Sequence, residues 1–322
     1  MRVVSLLPSA TEILFAIGAG DRVVGVTHEC DFPVEATTRP VLTSTLLPAE
    51  LDAAGIDRHV RARVHEGSSL YGLDDAKLAA LEPDLIVTQE LCAVCAVSYE
   101  IVARAAKRLR GPSTGSGHAR VVSLEPSSLE DVFATIAFLG ELVDATDGAA
   151  ALLDDLRARV AALGRSRGDG ERPRVLVLEW TDPPMSGGHW TPGLVELAGG
   201  EPLLGNAGAN SRVLSWDAIV ASDPDVVIVA PCGFGLARAQ REIGALPPDA
   251  AGALAALRAV RDGRAYAMDG NAFVNRPGPR LVDTAELFAA AIGGAMPVSS
   301  DALAPIEGAT RVSSRSAGRP RR

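Results

Sequence analysis

Two stretches, LEPDLIVTQELC at residues 81–92 and SDPDVVIVAPC at residues 222–232, echo each other across the chain. Each reads acid, proline, aspartate, then a β-branched apolar run, then a loop holding a cysteine. Proline disfavours the α-conformation in the residue before it, so it closes the preceding helix and leaves the aspartate at a strand entry. A short run of uninterrupted apolar residues suits a strand buried on both faces, as in parallel sheets. The echo therefore predicts two α/β lobes. Each presents a cysteine at the carboxyl end of an equivalent strand, where open α/β sheets place their ligands.

Both stretches belong to longer series of such runs. VVSLL (3–7), RVVGV (22–26), DLIVT (84–88) and RVVSL (120–124) alternate with the helical patterns ATEILFAIG, SYEIVARAAKRL and SSLEDVFATIAFLGEL. RVLVLEW (174–180), DVVIVAP (225–231) and RAYAMDG (264–270) form a second series. This is the rhythm of parallel strands with crossover helices. Between the two series, DATDGAAALLDDLRARVAAL (144–163) is helix-compatible throughout and ends in the breaker-rich GRSRGDGERP. The predicted architecture is α/β, with two Rossmann-like lobes of mainly parallel sheet joined by a single long backbone helix and a ligand cleft between them. Its boundaries are 1–140 for the first lobe, 141–164 for the helix and 172–293 for the second lobe. Residues 296–322, rich in Ser, Arg, Ala and Pro, read as a disordered basic tail.

Bulk properties narrow the function classes. At 322 residues the chain exceeds the size at which one core usually stops growing. Its net charge of -9 and 4% aromatic content argue against a phosphate-binding surface and a base-stacking platform, so no nucleic-acid partner is expected. Arg311, Arg315, Arg319, Arg321 and Arg322 belong to a solvated tail. The sequence has no apolar run long enough to insert in a membrane. The opening MRVVSLLPSATEILFAIG has no cationic leader and no small-residue cleavage site, which predicts a cytoplasmic protein unless a signal lies upstream of the written start. In the cytoplasm, four cysteines are free thiols or ligands rather than disulfides. A monomer is expected.

All four cysteines fall in loops predicted at carboxyl strand ends: THECDFP (27–33), TQELCAVC (88–95) and APCGFG (230–235). A fourth such loop, TDPPMSGGHWTP (181–192), holds His189. Three readings stay open. Cys92 and Cys95 have chelating spacing, and Cys30, Cys232 and His28 would complete a zinc or iron site. The same pair could exchange a disulfide. The thiols could also simply line a cleft. Glu29, Asp31, Glu90 and Glu179 lie in or beside these loops and admit acid/base chemistry, which keeps a metal- or thiol-dependent enzyme as the alternative function. The signatures GxSxG, HExxH, GxxxxGK[ST] and GxGxxG are absent. Trp180 and Trp190 bracket one loop and could stack on a planar or macrocyclic ligand. Arg276 and Arg280 could meet a ligand carboxylate or phosphate.

RVVSLLPSATEILFAIGAGDRVVGVTHECDFP, with LAALEPDLIVTQ and WDAIVASDPDVVIV, resembles the helical-backbone (type III) class of substrate-binding proteins for vitamin B12, haem and iron-siderophores. HECDFP, LCAVCAVS, LEWTDPP, GHW and PCGF resemble a leaderless, cysteine-containing branch of that class often labelled cobalamin-binding. The resemblance implies non-catalytic binding of a small metal-containing ligand, such as cobalamin or another corrinoid, and delivery to an ABC-type permease if the protein is exported. The expected ligand contacts are Pro8, Ser9, Glu29, Gln89, Glu179, Trp180, His189, Trp190, Phe234 and Arg276. The acids that dock to permease arginines in the B12 binder fall on Glu100 and Asp217. Its two corrin-contacting aromatics fall near Gln89 and Ser211, so neither aromatic is kept.

Overall fold

The computed structural model describes residues 1–48, 50–65, 70–89, 99–106, 119–165, 170–294 and 301–306. The fold is two α/β lobes with one parallel and one mixed sheet, joined by long helices. The chain divides into two compact units, Met1–Ala162 with Arg276–Val282, and Leu163–Asn275 with Asp283–Arg322.

In the first unit the strands are β1 (Val3–Ser5), β2 (Val23–Val26), β3 (Thr43–Thr45), β4 (Tyr71–Leu73), β5 (Leu85–Thr88) and β6 (Arg120–Ser123). They form a parallel sheet in the order β2-β1-β5-β6 and a separate antiparallel β3–β4 ladder. Helices α1 (Pro8–Ala16), α2 (Ala53–His65), α3 (Asp75–Ala80), α4 (Tyr99–Ala106), α5 (Leu129–Leu142) and α6 (Thr146–Arg165) accompany them. β1 and β5 are buried along their whole length, as central parallel strands require. β1 is shorter than the VVSLL run because Pro8, at the first turn of α1, starts a helix directly after Leu7. Gly148 near the start of α6 has no space for a side chain, since a Cβ there would lie 2.1 Å from the Ile17 carbonyl oxygen. That contact seats α6 on the carboxyl end of α1.

The second unit contains β7 (Arg174–Thr181), β8 (Pro184–Ser186), β9 (Glu201–Pro202), β10 (Val226–Val229), β11 (Ala265–Met268) and β12 (Leu303–Pro305). Their order is β12-β11-β10-β7-β8, with β9 also on β7. β8 and β12 run antiparallel to their neighbours, and the other pairings are parallel. The helices are α7 (Thr191–Leu197), α8 (Trp216–Ala221), α9 (Leu236–Gly244), α10 (Pro248–Ala256), α11 (Arg258–Arg261) and α12 (Leu281–Gly293). β12 corrects part of the expected disordered tail. Leu303 and Ala302 are buried, and the strand exchanges backbone hydrogen bonds with β11, which its polar surroundings in sequence conceal. The remainder of 296–322 lies largely outside the described residues.

The echoed motif has one physical cause in both units. Glu82 and Asp223 adopt φ of 40° and 38°, the left-handed turn that ends α3 and α8. Two residues later, Asp84 accepts the Arg2 backbone N–H at 2.8 Å, and Asp225 accepts that of Arg174 at 2.8 Å. Each aspartate thus ties the entry of its own strand to the entry of the neighbouring one. Apolar clusters built on Val4, Leu6 and Ile86 in the first unit and on Leu176, Val227 and Ala267 in the second fill the space beside the sheets.

Candidate functional site

In the first unit the loop after β2 is built from its own hydroxyls. Thr27 Oγ1 accepts the Glu29 N–H at 2.8 Å and turns the chain back. His28 turns toward the small ladder, with Nδ1 2.6 Å from Thr43 Oγ1 and its ring 5.5 Å from that of Tyr71. Its Nε2 stands 3.3 Å from a Glu29 oxygen. The contact with the His28 ring holds the Glu29 carboxyl below its usual range, against the opposing effect of burial. Cys30 turns the other way. Its Sγ lies 3.1 Å from Thr11 Oγ1, which also donates to Ser5 Oγ at 2.8 Å. Burial pushes this thiol up, so it is a neutral hydrogen-bonding group.

Asp31 and Phe32 complete the loop against residues 276–280. Arg276 Nη1 donates to Asp31 at 2.5 Å and to Glu12 of α1 at 3.0 Å. Arg280 donates to both Glu12 oxygens, through Nε at 3.0 Å and through Nη2, and its guanidinium lies 4.2 Å from the Phe32 ring centroid. Glu12 is almost fully buried and therefore needs these two cations. Asp31 is partly desolvated, which opposes ionisation, but the hydrogen bond and charge of Arg276 hold its carboxyl below the usual range. Gly278 passes over the amino end of α1, where Ser9 is buried and Pro8 half-buried. Gln89, just beyond β5, is also buried.

The second unit organises its loops around Glu179. Oε1 accepts from Thr191 Oγ1 at 2.6 Å and from the Gly188 N–H at 3.2 Å, and Oε2 accepts from Ser211 Oγ at 2.5 Å. Enclosure raises its carboxyl above the usual range despite these three donors. Its carbonyl accepts the Cys232 N–H at 3.0 Å. Trp190 is buried, with its indole N–H donating to Val274 at 2.7 Å. His189 stacks on Trp190 at 5.4 Å, adopts φ of 46°, and keeps a buried Nε2 without a hydrogen-bond partner among the described residues. Its N–H donates to Ala209 at 2.7 Å, which joins the glycine-rich loop to residues 206–211. Trp180 packs 5.1 Å from Phe234, and the Arg238 guanidinium lies over the Phe234 ring at 3.8 Å.

The predicted residues therefore gather in two clusters, one per unit. In the first, Pro8, Ser9, Glu29 and Arg276 lie around the start of α1 and the loop after β2. In the second, Glu179, Trp180, His189, Trp190 and Phe234 share the carboxyl ends of β7 and β10. His28 and Cys30, expected to ligate one metal, point to different partners within their loop. Among the described residues no group of three or more His, Cys, Asp or Glu side chains is placed to hold a metal ion. Cys92, Cys95 and Glu90 lie outside the described residues. Glu100 is in α4, and Asp217 is exposed in the first turn of α8. Thr11, Glu12, Thr191 and Phe32 were not singled out. Glu12 carried the one available signal, a carboxylate on an otherwise apolar helix.

The model of the periplasmic binding protein family matches residues 3–272. A cobalamin-binding protein of Halobacterium salinarum is 26% identical over 292 residues, covering 88% of this chain and 66% of that protein. Among solved structures, the periplasmic vitamin B12 binding protein of Vibrio cholerae superposes with a TM-score of 0.65 at 19% identity, covering 91% of this chain and 97% of that one. A periplasmic heme binding protein from Pseudomonas aeruginosa gives 0.65 at 24% identity, covering 96% and 99%. The family match overturns the expectation of a cytoplasmic protein. That expectation rested on how the written sequence begins, which says nothing of where a family of periplasmic proteins operates.

Proposed function

The chain belongs to the periplasmic binding protein family, and from this premise we propose that it is an extracytoplasmic, non-catalytic binder of a corrinoid or haem-like metal complex that it hands to an ABC-type importer. The observation that carries this reading is the pair of polar and aromatic loop clusters at the carboxyl strand ends of a chain matched by that family over 3–272. The relatives named for cobalamin, B12 and heme support the ligand class. Large planar ligands suit sites with a few fixed polar groups and abundant apolar and aromatic wall. Trp180, Trp190 and Phe234 supply that wall in the second unit, and Glu29 with Arg276 supplies charge in the first. Among the described residues, the carboxylates that acid/base catalysis would need are already engaged, Glu179 by three donors, Asp31 by Arg276 and Glu29 by the adjacent His28.

Asp217 and Glu100 are the proposed docking acids for permease arginines, and the protein is proposed to act as a monomer. The deciding experiment is titration with cyanocobalamin and, separately, with haemin, followed by calorimetry and ligand absorption. One saturable 1:1 complex without turnover supports the reading. Absence of binding to both overturns the ligand class.

A further inference from the structure

We infer that Glu12 is a positioning residue that sets the conformation of the ligand loop 27–33 through Arg276 and Arg280. Three consecutive loop residues are each held by a different anchor. The Cys30 thiol meets Thr11, Asp31 meets Arg276, and the half-exposed Phe32 ring lies on Arg280. Both arginines converge on the Glu12 carboxylate, which neighbours Thr11 on α1. Adjacent residues of one short helix therefore grip the loop, directly in one case and through two guanidiniums in the other.

The burial pattern explains why the arrangement depends on one group. Arg276 is 5% exposed, so water has little access with which to replace the ion that holds it. Removing the charge of Glu12 leaves two guanidiniums facing each other around a neutral group. Breaking a buried pair from one side is strongly unfavourable, because the surviving charge stays desolvated. The relief available is for residues 276–280 to move away from α1, taking Asp31 and the support beneath Phe32 with them.

The test reads the loop itself as well as the ligand. Alkylation by iodoacetamide is followed at Cys30 and Cys232 by peptide mass mapping in the wild type, Glu12→Gln, Asp31→Asn and Leu156→Ala, the last a buried position in α6. Glu12→Gln is expected to label Cys30 at least tenfold faster with Cys232 unchanged, Asp31→Asn about threefold faster, and Leu156→Ala at the wild-type rate. Cys30 labelling at the wild-type rate in folded Glu12→Gln overturns the inference. If that variant does not fold, unchanged labelling in Asp31→Asn overturns it instead. The same variants are titrated with cyanocobalamin and haemin, because the affinity arm rests on the proposed ligand class. A wild type that binds neither removes that class, while the labelling comparison still decides the role of Glu12.

Discussion

The Ser211 hydroxyl donates to Oε2 of Glu179 at 2.5 Å, across 32 residues of sequence. With Thr191 and Gly188 on the other oxygen, this contact makes one carboxylate the meeting point of β7, the glycine-rich loop and the loop before α8. Glu179→Ala leaves three donors facing a cavity and is expected to cost about 2–4 kcal/mol, since each stranded buried group carries its own desolvation penalty. Glu179→Gln keeps an acceptor for Thr191 and Gly188 and offers Ser211 a donor instead, so it should cost about 1 kcal/mol or less. Urea denaturation of both variants checks the ordering. Equal losses would show that the carboxylate itself, which both variants lack, matters more than its volume.

Proton linkage separates this group from those of the first unit. The Glu179 carboxyl is raised by enclosure, so the folded state holds its proton more tightly than the unfolded chain does. Its contribution is complete below the unfolded value of about 4.3 and is lost as pH rises through the folded value. Asp31 and Glu29 are lowered, so their contributions are present above the unfolded values and are lost as pH falls through the folded ones. Denaturation midpoints measured between about pH 3 and pH 8 should therefore show Glu179→Gln weakening less than the wild type on the alkaline side. Asp31→Asn should lose less on the acid side. Parallel curves would count against both assignments.

The twin aspartates give a paired prediction. Asp84 is 4% exposed, and Asp225 is less deeply buried. Removing either side chain strands a backbone N–H at a strand entry, a hydrogen bond to a charged group worth about 1.5–3 kcal/mol. Asp84→Ala is expected at the upper end of that range and Asp225→Ala at the lower, where water replaces part of the loss. Thermal unfolding of the two variants tests it, and a larger loss for Asp225→Ala would refute the burial argument.

Gly188 provides a steric prediction. Its backbone φ is not in the left-handed region, yet an added Cβ would lie 2.4 Å from the Ser211 backbone nitrogen. Gly188→Ala must push residues 206–211 away from Glu179, with an expected cost of about 1–3 kcal/mol. It should also weaken whichever metal complex the wild type binds. Near-wild-type stability together with wild-type affinity would mean that the loop tolerates the shift.

The main strand series was legible because each strand combined an apolar run with a punctuating turn. β8, β9 and β12 were not, since two or three residues such as Glu201–Pro202 carry no period, and their pairing comes entirely from a neighbouring strand. The aromatic and charged loop residues were readable by type. Their partners were not, because Ser211 and Thr191 are ordinary loop and helix residues until Glu179 is placed between them.

The sequence alone determined the two-fold α/β rhythm, through proline, acid and β-branched residues whose backbone preferences act within a few positions. It also placed the candidate loops at carboxyl strand ends. Tertiary structure decided which charges are spent on the fold. Glu12 lies 264 residues from Arg276, and only their meeting in a buried, low-dielectric place turns a helix glutamate and a loop arginine into one ion cluster. The same holds for His28 and Cys30, which stand two residues apart in sequence. They reach different partners, Thr43 and Thr11, because a hydroxyl-pinned turn points their side chains in different directions.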